Sequence, residues 1–120
     1  MRTCPLCKDQ KMSVSRISCD MCNLHIEGPQ HMPPLVRLAR EDMALAEAFV
    51  LSGGNLKDLA QTLGITYPTL RKRLDAMIEN LRAEIALDKQ KVSQVLADIE
   101  SGKIDPERGI HLLREINHDN

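Results

Sequence analysis

Four cysteines stand as two pairs near the start of the chain, Cys4-Pro5-Leu6-Cys7 and Cys19-Asp20-Met21-Cys22, with eleven residues between the pairs. A two-residue gap lets both sulfurs of a pair face one ion, and two such pairs complete a tetrahedral four-thiolate site of the kind that holds structural Zn2+. The spacing therefore predicts a zinc ribbon over residues 1–28, with Cys4, Cys7, Cys19 and Cys22 as ligands and Zn2+ as the cofactor. Four protein ligands leave no position for water, so the expected role is structural rather than catalytic. Met12 and Val14 alternate with polar residues, and so do Leu24 and Ile26, which predicts short strands between and after the pairs. The residue after the second cysteine of each pair is expected at positive φ; Asn23 tolerates that geometry and Lys8 tolerates it less well. A thioredoxin-like CxxC needs a βαβ unit that this segment is too short to form, and a reducing compartment disfavours disulfides. His25 is a further candidate donor. With four thiolates at hand, it is expected as a strand residue with a solvated ring.

A second constellation lies in Gly64–Leu74, GITYPTLRKRL, where Arg71, Lys72 and Arg73 adjoin in a chain of formal net charge −1. Gly64 and Thr66 read as a helix stop followed by a cap, and Pro68 falls in the first turn, where a missing N–H is harmless. At about 100° per residue, Leu70, Leu74, Met77, Ile78 and Leu81 share one stripe of the helix that follows. Pro68 and Lys72 lie opposite, Thr69 lies somewhat off-centre, and Arg71 and Arg73 take the flanks. A helix seated in the major groove of DNA needs short polar or cationic groups outward near its N-terminus and cations beside them for the phosphates. The turn thus predicts a duplex-DNA contact by Thr66, Tyr67, Pro68, Thr69, Arg71, Lys72 and Arg73. A run of three cations on an arbitrary helix is more often just a solvated face. Here the acid-free stretch between Asp58 and Asp75 and the elements before it favour DNA.

Those elements follow from punctuation. Gly28-Pro29-Gln30-His31-Met32-Pro33-Pro34 excludes helix and marks a linker over 29–34. Leu38, Met43, Leu45, Ala46, Phe49 and Val50 approximate a helical stripe that Gly53-Gly54 ends. Asn55 caps a short helix through Leu63, and the helix beginning at Thr66 completes a helix-turn-helix over 35–86. Asp88 breaks the apolar seam and is expected to cap a fresh helix carrying Val92, Val95, Leu96 and Ile99. Ser101-Gly102 stops that helix, and Asp105-Pro106 starts another with Ile110, Leu113 and Ile116, giving an αα-hairpin over 87–120. Two placements fit the hairpin: packing back onto residues 35–81, or self-association. His111 lies off the apolar stripe, as a surface residue would.

The predicted fold is mainly α, with a small N-terminal β zinc ribbon, a helix-turn-helix and a C-terminal αα-hairpin. Composition bounds the function. Only Phe49 and Tyr67 are aromatic, which argues against gripping single strands by base stacking. Residues 86–120 carry five basic and seven acidic groups, so the tail is the part least suited to phosphates. No run approaches the length of a membrane span and no signal-peptide pattern opens the chain, so a cytoplasmic location is expected. There is no open-site metal pattern, nucleophile–base pair or phosphate loop, and an enzyme is not expected.

GNLKDLAQTLGITYPTLRKRLDAM resembles the helix-turn-helix of the factor for inversion stimulation and of the C-terminal domains of enhancer-binding activators. That resemblance implies DNA contacts by Thr66, Tyr67, Thr69, Arg71 and Lys72, with Tyr67 standing where the family pattern has an arginine. Over nearly the whole chain, the order CPxC, CxxC, Glu-Gly, helix, GNLK, GITYPTLRKRLD is similar to a bacterial family known as a domain of unknown function, which implies a transcriptional regulator. IESGKIDPERGIHLLREI resembles a short C-terminal association motif of bacterial envelope-stress and membrane-associated regulators. One helix-turn-helix offers few side chains to base edges, so a homodimer is expected. Its candidate surfaces are Leu74, Ile78, Leu81 and Ile85, or Val92, Val95, Ile99, Ile110 and Leu113. The competing function is an adaptor that binds RNA polymerase or a sigma factor without reading bases. Whether the ribbon contacts protein or DNA is open in both.

Overall fold

The computed structural model describes residues 3–117. Two three-residue strands, β1 (Arg16–Ser18) and β2 (His25–Glu27), pair antiparallel with Ile17 opposite Ile26. The first strand thus forms later than the Met12–Val14 alternation suggests. Lys11 makes only an isolated bridge to Thr3. Both strands are solvent-exposed, so apolar burial contributes little to this module.

A single 3-10 turn over Pro34–Arg37 leads into four helices: α1 (Arg40–Leu51), α2 (Leu56–Leu63), α3 (Tyr67–Glu100) and α4 (Pro106–Asn117). The mainly helical architecture with its small antiparallel sheet is the one expected from sequence. Leu38, just before α1, is buried with Leu59 and Ala60 of α2 and Leu70, Leu74 and Met77 of α3. Met43, Leu45, Phe49 and Ile65 close around that cluster. The core therefore sits where α1, α2 and the first half of α3 meet, and it fixes the start of α3 from behind.

Local chemistry sets the helix ends. Asn55 Oδ1 accepts from the N–H groups of Lys57 and Asp58, satisfying two donors that the first turn leaves free. Gly64 ends α2 at φ 66°, where a Cβ would be strained. Ile65 N–H reaches back to Ala60 O at 3.1 Å while its side chain packs on the core. Thr66 Oγ1 accepts from Thr69 N–H at 3.4 Å, and Pro68 sits in the first turn of α3.

The break expected at Asp88 does not occur: α3 runs unbroken for 34 residues. Asp88 is turned toward Arg37, so it continues the inward face of α3 as an ion-paired residue instead of capping a new helix. The αα-hairpin is therefore the second half of α3 folded against α4 through the Ser101–Asp105 turn. Gly102 takes φ 77° there, and Gly109 is buried against Ile99, at a crossing too close to leave space for a Cβ. Half of the seam Leu74, Ile78, Leu81 and Ile85 is occupied within the chain, while Ile85 is exposed. Leu74 lies in the core and Leu81 packs against it.

Candidate nucleic-acid interface and metal-binding module

Burying Leu70 and Leu74 on one side of α3 turns the opposite side outward. Thr66, Tyr67, Pro68, Thr69, Arg71, Lys72 and Arg73 are all exposed, as the helical stripe predicts. The Thr66 and Thr69 hydroxyls lie 2.9 Å apart and brace the first turn. The three cations are not equivalent. Arg71 Nε lies 3.4 Å from Asp75 Oδ1 in a pair exposed on both sides, which holds it only weakly. Arg73 lines an open cleft between α1 and α3 together with Glu41 and Asp42. Unlike Arg71, neither Arg73 nor Lys72 makes an ion pair among the described residues, and Lys72 occupies the centre of the outward face.

Residues 38–84 match a family model described as "Domain of unknown function (DUF2089)-HTH". The match begins at the buried Leu38 and takes in the helix-turn-helix, but it reaches neither the cysteines nor the hairpin. No curated protein and no solved structure matches the chain. Among the described residues no helix is long and apolar enough to cross a membrane.

Each cysteine pair forms the same turn. Lys8 N–H donates to Cys4 O at 2.9 Å and Asn23 N–H to Cys19 O at 3.0 Å. The residues after the second cysteines stand at positive φ, Lys8 at 63° and Asn23 at 57°. Neither is glycine, and Lys8 gains nothing evident in return for that backbone cost. Backbone N–H groups of Asp9 and then Gln10, followed by the Cys4 thiol, hold the Cys7 pKa below the ordinary thiol value. Cys19 is lowered by the backbone N–H of Cys22, then by its side chain and by Met21. Turns that aim amides at sulfur fit a thiolate donor set. Among the described residues, however, no three His, Cys, Asp or Glu side chains converge as a metal-holding group. The pairs are formed but not closed onto each other. His25 lies on β2 with Nδ1 2.8 Å from Ser18 Oγ.

Sequence reasoning missed a cluster around Arg37. Its Nε donates to Glu84 Oε2 at 3.0 Å, Nη2 to Glu84 O at 2.9 Å and Nη1 to Met32 O at 2.7 Å. Asp88 Oδ1 lies 2.9 Å from Nη2 and 3.6 Å from His31 Nε2. Lys11 Nζ, from between the cysteine pairs, donates to Glu84 Oε1 at 2.8 Å. Burial of Glu84 raises its pKa, but the hydrogen bonds from Lys11 and Arg37 and their charges outweigh that and hold it below the usual carboxylate range. One signal was available. Leu70, Leu74, Met77, Leu81, Glu84 and Asp88 continue a single alternation of four- and three-residue steps, so the two acids occupy apolar-face positions and require a buried cation.

Proposed function

We propose that this chain is a zinc-containing, DNA-binding transcriptional regulator of the cytoplasm that reads duplex DNA with the start of α3. The observation that carries this is the outward set Thr66 to Arg73 at the start of a helix capped by Thr66, whose reverse side, Leu70 and Leu74, is locked in the core. The family match to a helix-turn-helix supports the same reading. Lys72, central and without an acidic partner, is assigned to base edges. Arg71 and Arg73 are assigned to phosphates on either side. The twin cysteine turns are assigned to one Zn2+ held by Cys4, Cys7, Cys19 and Cys22. That ion supplies cross-linking of an otherwise exposed module and no reaction chemistry.

A homodimer is part of this proposal, with the exposed Leu96 and Ile110 of the hairpin as its contact. A second reading, the adaptor that docks on RNA polymerase or a sigma factor, is favoured by one observation: Arg71 lies 3.4 Å from the Asp75 carboxylate, and Glu41 and Asp42 line the same cleft as Arg73.

Selection of bound fragments from a random duplex pool by the zinc-loaded protein separates the two. The wild type should enrich a motif, and Lys72→Ala should bind about 5- to 100-fold more weakly with relaxed preference at one or two positions. Arg71→Ala should lose affinity more evenly across sequences. A pool that emerges without enrichment, from protein indifferent to both substitutions, favours the adaptor.

A further inference from the structure

We infer that the outer edge of β2 is a self-association edge, along which two copies of this chain pair antiparallel about Ile26 and join their β1-β2 ribbons into one sheet. This adds a contact to the homodimer proposed above and draws on neither the metal nor the DNA assignment. The ladder between β1 and β2 shows which backbone groups are left over. Cys19 N–H donates to Leu24 O at 2.8 Å and Gly28 N–H to Ser15 O at 2.9 Å, on either side of the Ile17–Ile26 pair in the same register. Bonded and unbonded pairs alternate in an antiparallel ladder, so Ile17 and Ile26 bond to each other, whereas the N–H and C=O groups of His25 and Glu27 point away from β1. Among the described residues, no turn or loop reaches the backbone of His25 or Glu27.

A second β2 meets those groups in a register that is self-complementary. With the two-fold axis at Ile26, His25 of each copy stands opposite Glu27 of the other, and each such pair exchanges both of its backbone bonds. The side chains follow. His25 and Glu27 share a face with Arg16 and Ser18: Arg16 Nε lies 4.0 Å from Glu27 Oε1, and His25 Nδ1 lies 2.8 Å from Ser18 Oγ. Pairing sets each Glu27 carboxylate between Arg16 of its own chain and the His25 imidazole of the second copy, an arrangement that cross-strand pairs favour.

The other face carries Ile17, Leu24 and Ile26, which line one shallow cleft with Cys19 and are each about half exposed. In the paired sheet the two Ile26 side chains meet at an unbonded position, where opposing residues approach most closely, and the two apolar faces become one. The edge of β1 matches itself less well, because pairing about Ile17 sets Arg16 opposite Ser18 with no acid to meet. A two-stranded sheet exposed along both strands is marginal alone, and a second copy supplies the further strands that it lacks.

The test uses the full chain and reads amide hydrogen exchange by NMR at two protein concentrations about twentyfold apart, beside sedimentation of the same samples. Pairing predicts that the His25 and Glu27 amides exchange more slowly at the higher concentration, while those of Arg16 and Ser18, on the opposite edge, do not change. Glu27→Lys puts a lysine opposite His25 and beside Arg16, and should weaken this contact about two- to thirtyfold, since two symmetry-related pairs are lost together. Combining His25→Glu with Glu27→Lys restores opposite charges across the axis and should recover the protection. His25 and Glu27 amides that exchange as freely as those of an unfolded peptide at the higher concentration overturn the pairing; if sedimentation shows a dimer in that same sample, the contact is the hairpin's alone. A double variant no better protected than Glu27→Lys overturns the register about Ile26, and the proposal with it.

Discussion

Glu84→Ala should destabilise the helical unit by about 1.5–3 kcal/mol, because it removes the charged hydrogen bond that Arg37 makes to this carboxylate and leaves Asp88 as its remaining acidic partner. Arg37 is only 14% exposed, and Glu84 supplies it with both a carboxylate oxygen and the backbone carbonyl. The substitution spares the carbonyl and removes the charge. A typical domain is stable by about 5–15 kcal/mol, so the loss is a large share of the total. Urea denaturation followed by far-UV circular dichroism measures it. A shift below about 1 kcal/mol would show that the network is no more than a surface arrangement. Glu84→Gln should fall between the two, since it keeps a hydrogen-bonding group without the charge. The same contact sets a pH dependence. The folded pKa of Glu84 is lowered, so its contribution is complete above the ordinary carboxylate value of about 4.3 and is lost as pH falls through the lower folded value. Acid unfolding of Glu84→Gln should accordingly be flatter than that of the wild type across this interval.

Cys19→Ser should abolish zinc binding and unfold residues 3–28 while leaving the helix content nearly unchanged. The module has little apolar burial of its own: Leu6 and Met21, at the tips of the two turns, are almost fully exposed, and both strands face solvent. On the zinc assignment proposed above, metal binding would be the main source of its order, and structural zinc sites supply about 10–16 kcal/mol of apparent binding free energy. The helices keep the Leu38–Leu70 core, which draws on no residue of the module. Native mass spectrometry should show one zinc on the wild type and none on Cys19→Ser, with amide resonances of β1 and β2 collapsing in the variant. Full metal occupancy in Cys19→Ser would refute the four-thiolate assignment.

The sequence was most legible where local chemistry decides the structure. Asn55, Gly64, Thr66 and Pro68 mark helix ends through contacts within a few residues, and the structure places each at the expected terminus. The positive φ at Lys8 and Asn23 follows likewise from the cysteine turns themselves. What failed were the positions decided by distant partners. Asp88 reads as a break because its cation, Arg37, is 51 residues away and in no shared periodic pattern. β1 lies at Arg16–Ser18, rather than along the Met12–Val14 alternation, because pairing with His25–Glu27 fixes it. The outward face of α3 was legible as a set of residues. The neighbouring acids were not equally so: Asp75, paired with Arg71, is one turn along the same helix, whereas Glu41 and Asp42, which line one cleft with Arg73, arrive from α1 through the tertiary fold.

The central claim, that the start of α3 grips duplex DNA, is tested most directly by the salt dependence of duplex affinity for the zinc-loaded full chain and for a variant combining Arg71→Ala, Lys72→Ala and Arg73→Ala. Each phosphate contact releases counterions, so the logarithm of affinity should fall linearly with the logarithm of salt, and losing two or three such contacts should flatten the slope by about two to three. Fluorescence anisotropy on a labelled duplex across about 50–200 mM salt measures both proteins under one protocol. The account predicts a steep line for the wild type and, for the variant with its fold intact by circular dichroism, a shallower one with weaker binding throughout. Coincident lines for the two proteins would contradict it.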